Sequence, residues 1–204
     1  MSAALDLDAL DFDKGAGLVT VVAIDATDGA VLMVAHADRA ALESSIATGE
    51  MHYRSRTRGP WHKGATSGNV QHVVELVADC DGDAVLAVVR PAGPACHTGT
   101  RSCFAPEVPA GVLGRLDAVV ARRSTDAPAP ATSYVRALLA DRNLRLKKLG
   151  EEATELAVAA AGDDTDGVAA EAADLLFHVL VAARGAGVAL SDVLAVLCER
   201  EGVG

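Results

Sequence analysis

The chain changes texture once, just after Phe104, and that change constrains its fold more than any other feature. From residue 18 to about 104, apolar residues come in short runs (18–24, 31–35, 73–77 and 84–89) set apart by glycine and polar turns. Runs bounded in this way predict strands, and a short helix is expected at 37–47. Asp81-Gly82 falls between two of the runs and is a strong hairpin signal. From residue 113 onward helical periodicity takes over, predicting helices at 113–123, 133–141, 142–161, 166–184 and 191–200, with Ser133 and Ser191 as N-caps. A linker is expected at 105–112, around Pro106, Pro109 and Gly111, and a loop at 124–132, around Pro128 and Pro130. Residues 162–167 would turn a helical hairpin. The expected class is α+β, with a mainly antiparallel β domain over 1–108 and an all-α helical-hairpin domain over 109–204.

Composition narrows the function classes. Half of the 204 residues are hydrophobic, which excludes disorder as the main state. With 41 alanines and only 3% aromatics the core is built from small aliphatic side chains, and a large aromatic ligand cage is not expected. The net charge of -10, divided as -6 over 1–110 and -4 over 111–204, argues against general binding to nucleic acid or an anionic membrane. The acidic start at Asp6, Asp8, Asp11 and Asp13 is unlike a signal sequence, and no run of 18 apolar residues occurs. A cytoplasmic protein is expected, with its four cysteines as thiols.

Three of those cysteines, Cys80, Cys96 and Cys103, lie within 24 residues, and His97 adjoins the second. Three thiolates make a good zinc site with a fourth position left for water, although the spacing is not that of a zinc finger. Asp79, Asp81 and Asp83 alternate around Cys80, so an extended strand would gather them on one face, a donor set suited to magnesium. Taken singly, each cysteine is equally a small buried hydrophobe and Asp81-Gly82 merely a turn.

A second constellation opposes the global charge. Residues 54–63 hold Arg54, Arg56, Arg58 and Lys63 with no acid, and Trp61, Thr66, Ser67 and Asn69 lie among or just after them. Guanidinium forks, hydroxyls and glycine-exposed N–H groups are what phosphate oxygens require; the plainer alternative is a solvated loop with Trp61 in the core. On the predicted helices, Glu151, Glu152 and Glu155 share one turn and Glu171 and Asp174 are spaced i, i+3. Antiparallel helices would bring these acids face to face around a magnesium ion. Alternatively Lys147 and Lys148 form ordinary ion pairs with Glu151 and Glu152. His178 is taken as a core or interface histidine, and Cys198 has no role beyond packing.

In this order the motifs resemble the bifunctional histidine-biosynthesis family that fuses phosphoribosyl-AMP cyclohydrolase to phosphoribosyl-ATP pyrophosphatase. The first half carries Ser55-Arg56-Thr57-Arg58, Lys63-Gly64, Thr66-Ser67-Gly68-Asn69, Asp79-Cys80-Asp81-Gly82-Asp83 and Cys96-His97-Thr98-Gly99. The second carries Lys147-Lys148-Leu149-Gly150-Glu151-Glu152 with Glu155 and, further on, Glu171, Asp174 and His178, a pattern shared with the wider all-α nucleotide pyrophosphohydrolases. The resemblance implies zinc on Cys80, Cys96 and Cys103, with Cys80 contributed across a homodimer interface, and magnesium on Asp79, Asp81 and Asp83. It implies a second magnesium on Glu151, Glu152, Glu155, Glu171 and Asp174. Arg56, Arg58, Trp61, Lys63, Thr66, Ser67, Asn69, Lys147 and Lys148 would contact phosphoribosyl nucleotides; His97, Glu152 and Glu155 would be catalytic. The C-terminal half would release pyrophosphate from phosphoribosyl-ATP, and the N-terminal half would then open the adenine ring at C6–N1. Two other readings stay open: a nucleotide pyrophosphohydrolase with a degenerate cyclohydrolase half, and a non-catalytic zinc-stapled dimer module. The family pattern is departed from at Arg54, Ala65 and His36-Ala37-Asp38, all away from the metal-ligand positions.

Overall fold

The computed structural model describes residues 5–104, 111–125, 133–162 and 164–201. The prolines of the expected linker and of the 124–132 loop, the 108/109 boundary and Asp163 lie outside them. The chain forms two compact units, Met1–Ala110 and Gly111–Gly204.

In the first unit β1 (Val19–Asp25), β2 (Val31–Ala37), β5 (Gln71–Ala78) and β6 (Ala84–Pro91) form one sheet in the order β2-β1-β6-β5. The β1–β2 and β5–β6 pairs are antiparallel, as expected from their sequence proximity, but β1 and β6 run parallel at the centre. That pairing joins residues more than sixty apart, which local pattern does not encode. Strict alternation in β1 turns Val19, Val21 and Ala23 into the core with Leu32, Val85, Ala87 and Val89. Helix α1 (Arg39–Thr48) adds Ala41 and Leu42; full burial of Leu42 is worth ~2 kcal/mol. Asp38 caps its start by accepting from Ala41 N–H, and Gly49, at φ 70°, ends it.

The opposite face of the sheet carries one apolar row. Val34, Val22, Leu86 and Val77 form one row across all four strands, by the pairings Val22 with Val34, Val22 with Leu86 and Val77 with Leu86. Val34, Leu86 and Val77 are 47%, 38% and 41% exposed.

The stretch 54–63, expected as a loop, is instead a two-stranded hairpin of β3 (His52–Ser55) and β4 (Gly59–His62). Its basic and proline residues hid the strand pattern. It is anchored by Tyr53, fully buried and donating its hydroxyl to Gln71 Oε1 at 2.6 Å, and by His52 stacked on His62 with Glu50 2.8 Å from His62 Nε2.

The second unit is helical throughout its described length: α2 (Gly111–Thr125), α3 (Tyr134–Ala140), α4 (Arg142–Ala161), α5 (Thr165–Gly185) and α6 (Leu190–Glu201). Asp141 breaks α3 from α4 by accepting from Asn143 and Leu144 N–H, and Asp164 opens α5 by accepting from Gly167 N–H. Of the two expected caps, one is found in place and one is not. Ser133 holds the N-cap position of α3 but makes no side-chain cap bond, and Ser191 lies inside α6, where Asp192 accepts from Ala189 N–H instead. Val120, Leu138 and Val181 are the buried centre, and Arg184 ties α5 to α2 through both Asp117 oxygens at 2.8 Å. Apolar side chains such as Val158 and Leu176 remain 67% and 47% exposed.

Candidate active sites

Three carboxylates meet in the β5–β6 turn. Asp79, Asp81 and Asp83 offer oxygens that all lie within 4.8 Å of one another. The expectation that strand alternation gathers them is corrected: β5 ends at Ala78 and β6 begins at Ala84, so the turn itself curls them together. The curl depends on Gly82, at φ 75°, where a Cβ would stand 2.6 Å from Ala9 O. Lys14 already places an ammonium there, 2.7 Å from Asp81 Oδ2 and 3.7 Å from Asp83 Oδ2. Its hydrogen bond, with that of Asp79, holds the Asp81 carboxyl below its usual range.

Cys96 and Cys103 sit on the loop that follows β6. Thr98 Oγ1 donates to Cys96 Sγ at 3.1 Å, and with further hydrogen bonds from the Thr98 backbone, Thr100 and Cys103 it lowers the Cys96 thiol to about 6. Burial, then the nearby Cys96, raises the Cys103 thiol. The exposed His97 has Nδ1 3.9 Å from Cys96 Sγ. Cys80 is exposed on the acidic turn, and among the described residues it is not brought into one ligand set with Cys96 and Cys103 of the same chain.

Arg101, which sequence inspection missed, fixes this loop. Its guanidinium spans Asp25 Oδ2 at 2.8 Å and both Asp28 oxygens at 2.7 and 2.8 Å, and Cys103 N–H donates to Leu32 O at 2.8 Å. Burial works against the Asp28 charge, yet the Arg101 and Ala30 hydrogen bonds together hold its carboxyl below the usual range. Replacing Arg101 by Leu leaves the buried Asp25 unpaired. We expect a loss of about 2 kcal/mol in urea unfolding of the first unit, below the full buried-pair penalty because Arg101 is half-exposed. The Asp28 pKa is depressed on folding, so this contribution is fully present above about pH 4 and is lost as pH falls towards the depressed value. The difference between variant and wild type therefore narrows in acid.

The β3–β4 hairpin presents the basic set. Arg56 and Arg58 are exposed near its tip, whereas Arg54 pairs with Asp38 at 3.2 Å. Trp61, expected either to contact ligand or to fill the core, is 40% exposed, with its ring 5.4 Å from that of Tyr53. Lys63 is buried and donates to Asn69 O at 2.8 Å; burial lowers its pKa and the Cys103 sulfur opposes this. Burial, and then the same sulfur, raises the Tyr53 phenol, so the base of the hairpin stands beside the cysteine loop. Thr66 and Ser67 are exposed and Asn69 half-buried.

In the helical unit, α4 and α5 bring Glu152, Glu155 and Glu171 within 4.8 Å of one another. Partial burial, then Glu155, Glu152 and Asp174, raises the Glu171 carboxyl. Glu151 and Asp174 lie outside this trio: Glu151 instead holds Lys147 at 3.1 Å and Lys148 at 2.8 Å, the ordinary ion pairs considered above. Glu152 is buried, with His178 Nε2 3.7 Å and Lys148 Nζ 3.9 Å from Oε1. His178 thus packs against the acidic trio rather than only in the core. No single helix among the described residues is long and apolar enough to cross a membrane.

A carboxylate trio and a separate pair of thiols on a small β unit, joined in sequence to an acidic helical hairpin, are the donor sets of a two-domain hydrolase. Residues 33–105 match the family model of phosphoribosyl-AMP cyclohydrolase, and residues 113–201 that of phosphoribosyl-ATP pyrophosphohydrolase. The chain is 49% identical to the histidine biosynthesis bifunctional protein HisIE of Deinococcus radiodurans, over 97% of this chain and 94% of that one. It is 44% identical to the protein of the same description in Thermus thermophilus and 41% identical to that in Bacillus subtilis, again over about 95% of each chain. It belongs to this family of bifunctional histidine-biosynthesis enzymes.

Proposed function

We propose that the helical unit hydrolyses phosphoribosyl-ATP to phosphoribosyl-AMP and pyrophosphate, and that the first unit then opens the adenine ring of the product at C6–N1, in the cytoplasm. The observation that carries this reading is the coexistence in one chain of two separate carboxylate trios, each within 4.8 Å, with a depressed thiol on the loop after β6 of the first unit.

The donor sets fit the metals. Cys96, with a thiol near 6, is a thiolate at neutral pH and suits zinc together with Cys103 and Cys80. Asp81 and Asp83 already hold an ammonium, and Glu152, Glu155 and Glu171 crowd like charges that a dication relieves. When bound, zinc acidifies a water and magnesium offsets phosphate charge. Cys80 is apart from the other two cysteines, and the apolar row Val34-Val22-Leu86-Val77 is open on one sheet face. Both are accounted for by a homodimer in which Cys80 of one protomer completes the site of its partner.

The remaining roles are proposed from position. Arg56 and Arg58 hold substrate phosphates, Trp61 offers its exposed ring to the purine, and Thr66, Ser67 and Asn69 line the approach above the anchored Lys63. His97, beside Cys96, exchanges protons with the opening ring. In the helical unit Glu152 and Glu155 direct the attacking water, with Lys147 and Lys148 offsetting phosphate charge.

The zinc assignment is testable by alkylation. In metal-free protein, iodoacetamide labelling of Cys96 is expected to rise with a midpoint near pH 6, because the reactive thiolate is populated above its lowered pKa. Stoichiometric zinc is expected to block the labelling in wild type but weakly in Cys80→Ser. Unprotected wild type would refute the assignment.

A further inference from the structure

A cavity of about 330 Å³ opens in the first unit beside the acidic turn, lined by Lys14, Thr20, His36, Arg56 and Asp83 among others. Sheet register builds it: Thr20 on β1 stands opposite His36 on β2 and is paired on its other side with Ala84, the residue after Asp83. The tip of the β3–β4 hairpin contributes Arg56, whose guanidinium has no acidic partner among the described residues. A guanidinium, an ammonium, an imidazole and a hydroxyl around one cavity are donors to a phosphate monoester. The carboxylate of Asp83 opposes such a ligand, and the ammonium is engaged elsewhere. Lys14 Nζ lies 2.7 Å from Asp81 Oδ2, 3.3 Å from Asp81 O and 3.7 Å from Asp83 Oδ2, on the oxygens a divalent cation would take.

The backbone at Lys14 is pinned, whereas its side chain is half-exposed. Asp11 N–H donates to Gly82 O at 2.8 Å and Lys14 N–H to Asp11 Oδ1 at 3.2 Å, so the segment stays on the turn; the side chain itself is 43% exposed. We propose that this cavity is a phosphate subsite for the substrate, and that Lys14 joins it only when a divalent cation displaces its ammonium from Asp81 and Asp83. The proposal rests on the reading of Asp79, Asp81 and Asp83 as a metal site. Without the cation, Lys14 is held by Asp81 and Asp83 and offsets part of the turn's charge, and Arg56 alone faces a phosphate against Asp83. With it, the cation takes the oxygens that hold Lys14 and cancels two of the turn's three negative charges, so the ammonium is released to the rim of the cavity. Metal and phosphate then strengthen each other's binding, reciprocally.

The test titrates metal-stripped, full-length protein with Mn2+, followed by electron paramagnetic resonance, in the presence and absence of inorganic phosphate or ribose 5-phosphate. In wild type, ribose 5-phosphate is expected to tighten Mn2+ binding about tenfold at a site that Asp81→Asn abolishes. Lys14→Met is expected to bind Mn2+ more tightly than wild type without phosphate, since the competing ammonium is gone, and to lose most of the coupling. Arg56→Gln lowers the coupling without tightening Mn2+ binding, which separates a phosphate contact from a competitor. Coupling stronger with ribose 5-phosphate than with inorganic phosphate assigns the subsite to the substrate's monoester; the reverse order overturns that assignment. Lys14→Met behaving as wild type in both titrations overturns the inference while leaving the metal site intact. Absence of any Mn2+ site sensitive to Asp81→Asn overturns the metal reading itself.

Discussion

Replacing Glu152 by Gln is expected to lower pyrophosphate release from phosphoribosyl-ATP by about a hundredfold or more, equivalent to ~2.7 kcal/mol of transition-state stabilisation. Glu152 is the buried member of the carboxylate trio, set between α4 and α5 with His178 and Lys148 beside it. The amide keeps the shape and removes the charge that a cation needs. Folding tests the alternative: a merely structural Glu152 would lose stability on substitution, whereas relief of repulsion with Glu155 and Glu171 leaves the thermal midpoint unchanged or slightly raised. Ring opening of separately supplied phosphoribosyl-AMP is expected to survive in this variant, because the cysteine loop belongs to the other unit.

The cysteines allow a test of a different kind. Cys80→Ser and Cys96→Ser are each expected to abolish ring opening while sparing pyrophosphate release. Mixed after unfolding and refolding, the two inactive variants are expected to recover about a quarter of wild-type ring opening. Half of randomly paired dimers are mixed, and each mixed dimer has one intact site of two. The basis is positional: Cys80 is exposed on the β5–β6 turn, apart from Cys96 and Cys103 on the loop after β6. A site made within one chain recovers nothing on mixing.

Much of this architecture is written locally. Helix α4 follows 142–161 as its periodicity predicts, and β1 and β6 follow their apolar runs to within two residues. The β3–β4 hairpin was not legible, because Arg54, Arg56 and Gly59-Pro60 interrupt any alternation and its stability comes from Tyr53 reaching Gln71, eighteen residues away. Nor was the parallel β1–β6 pairing, which is a contact between distant segments. Within the sites the carboxylates stand out by type and spacing, but the residues that fix or compensate them do not. Arg101 is a lone arginine in sequence until the fold sets it against Asp25 and Asp28, 76 and 73 residues earlier. Lys14 is one cation in an acidic leader until Gly82 O binds Asp11 N–H and brings it over the turn. Among the glutamates, spacing alone treats Glu151 and Glu152 alike. Only the packing of α5 on α4 decides that Glu152 is turned inward and Glu151 is left to the lysines.

Two independent hydrolytic centres acting in succession leave a distinct product pattern when one of them is removed. Metal-replete Cys96→Ser is supplied with phosphoribosyl-ATP, and pyrophosphate, phosphoribosyl-AMP and ring-opened product are followed together. The expected result is pyrophosphate at the wild-type rate with phosphoribosyl-AMP accumulating in equal amount and no ring-opened product. Loss of pyrophosphate release along with ring opening, or continued ring opening without Cys96, would contradict it.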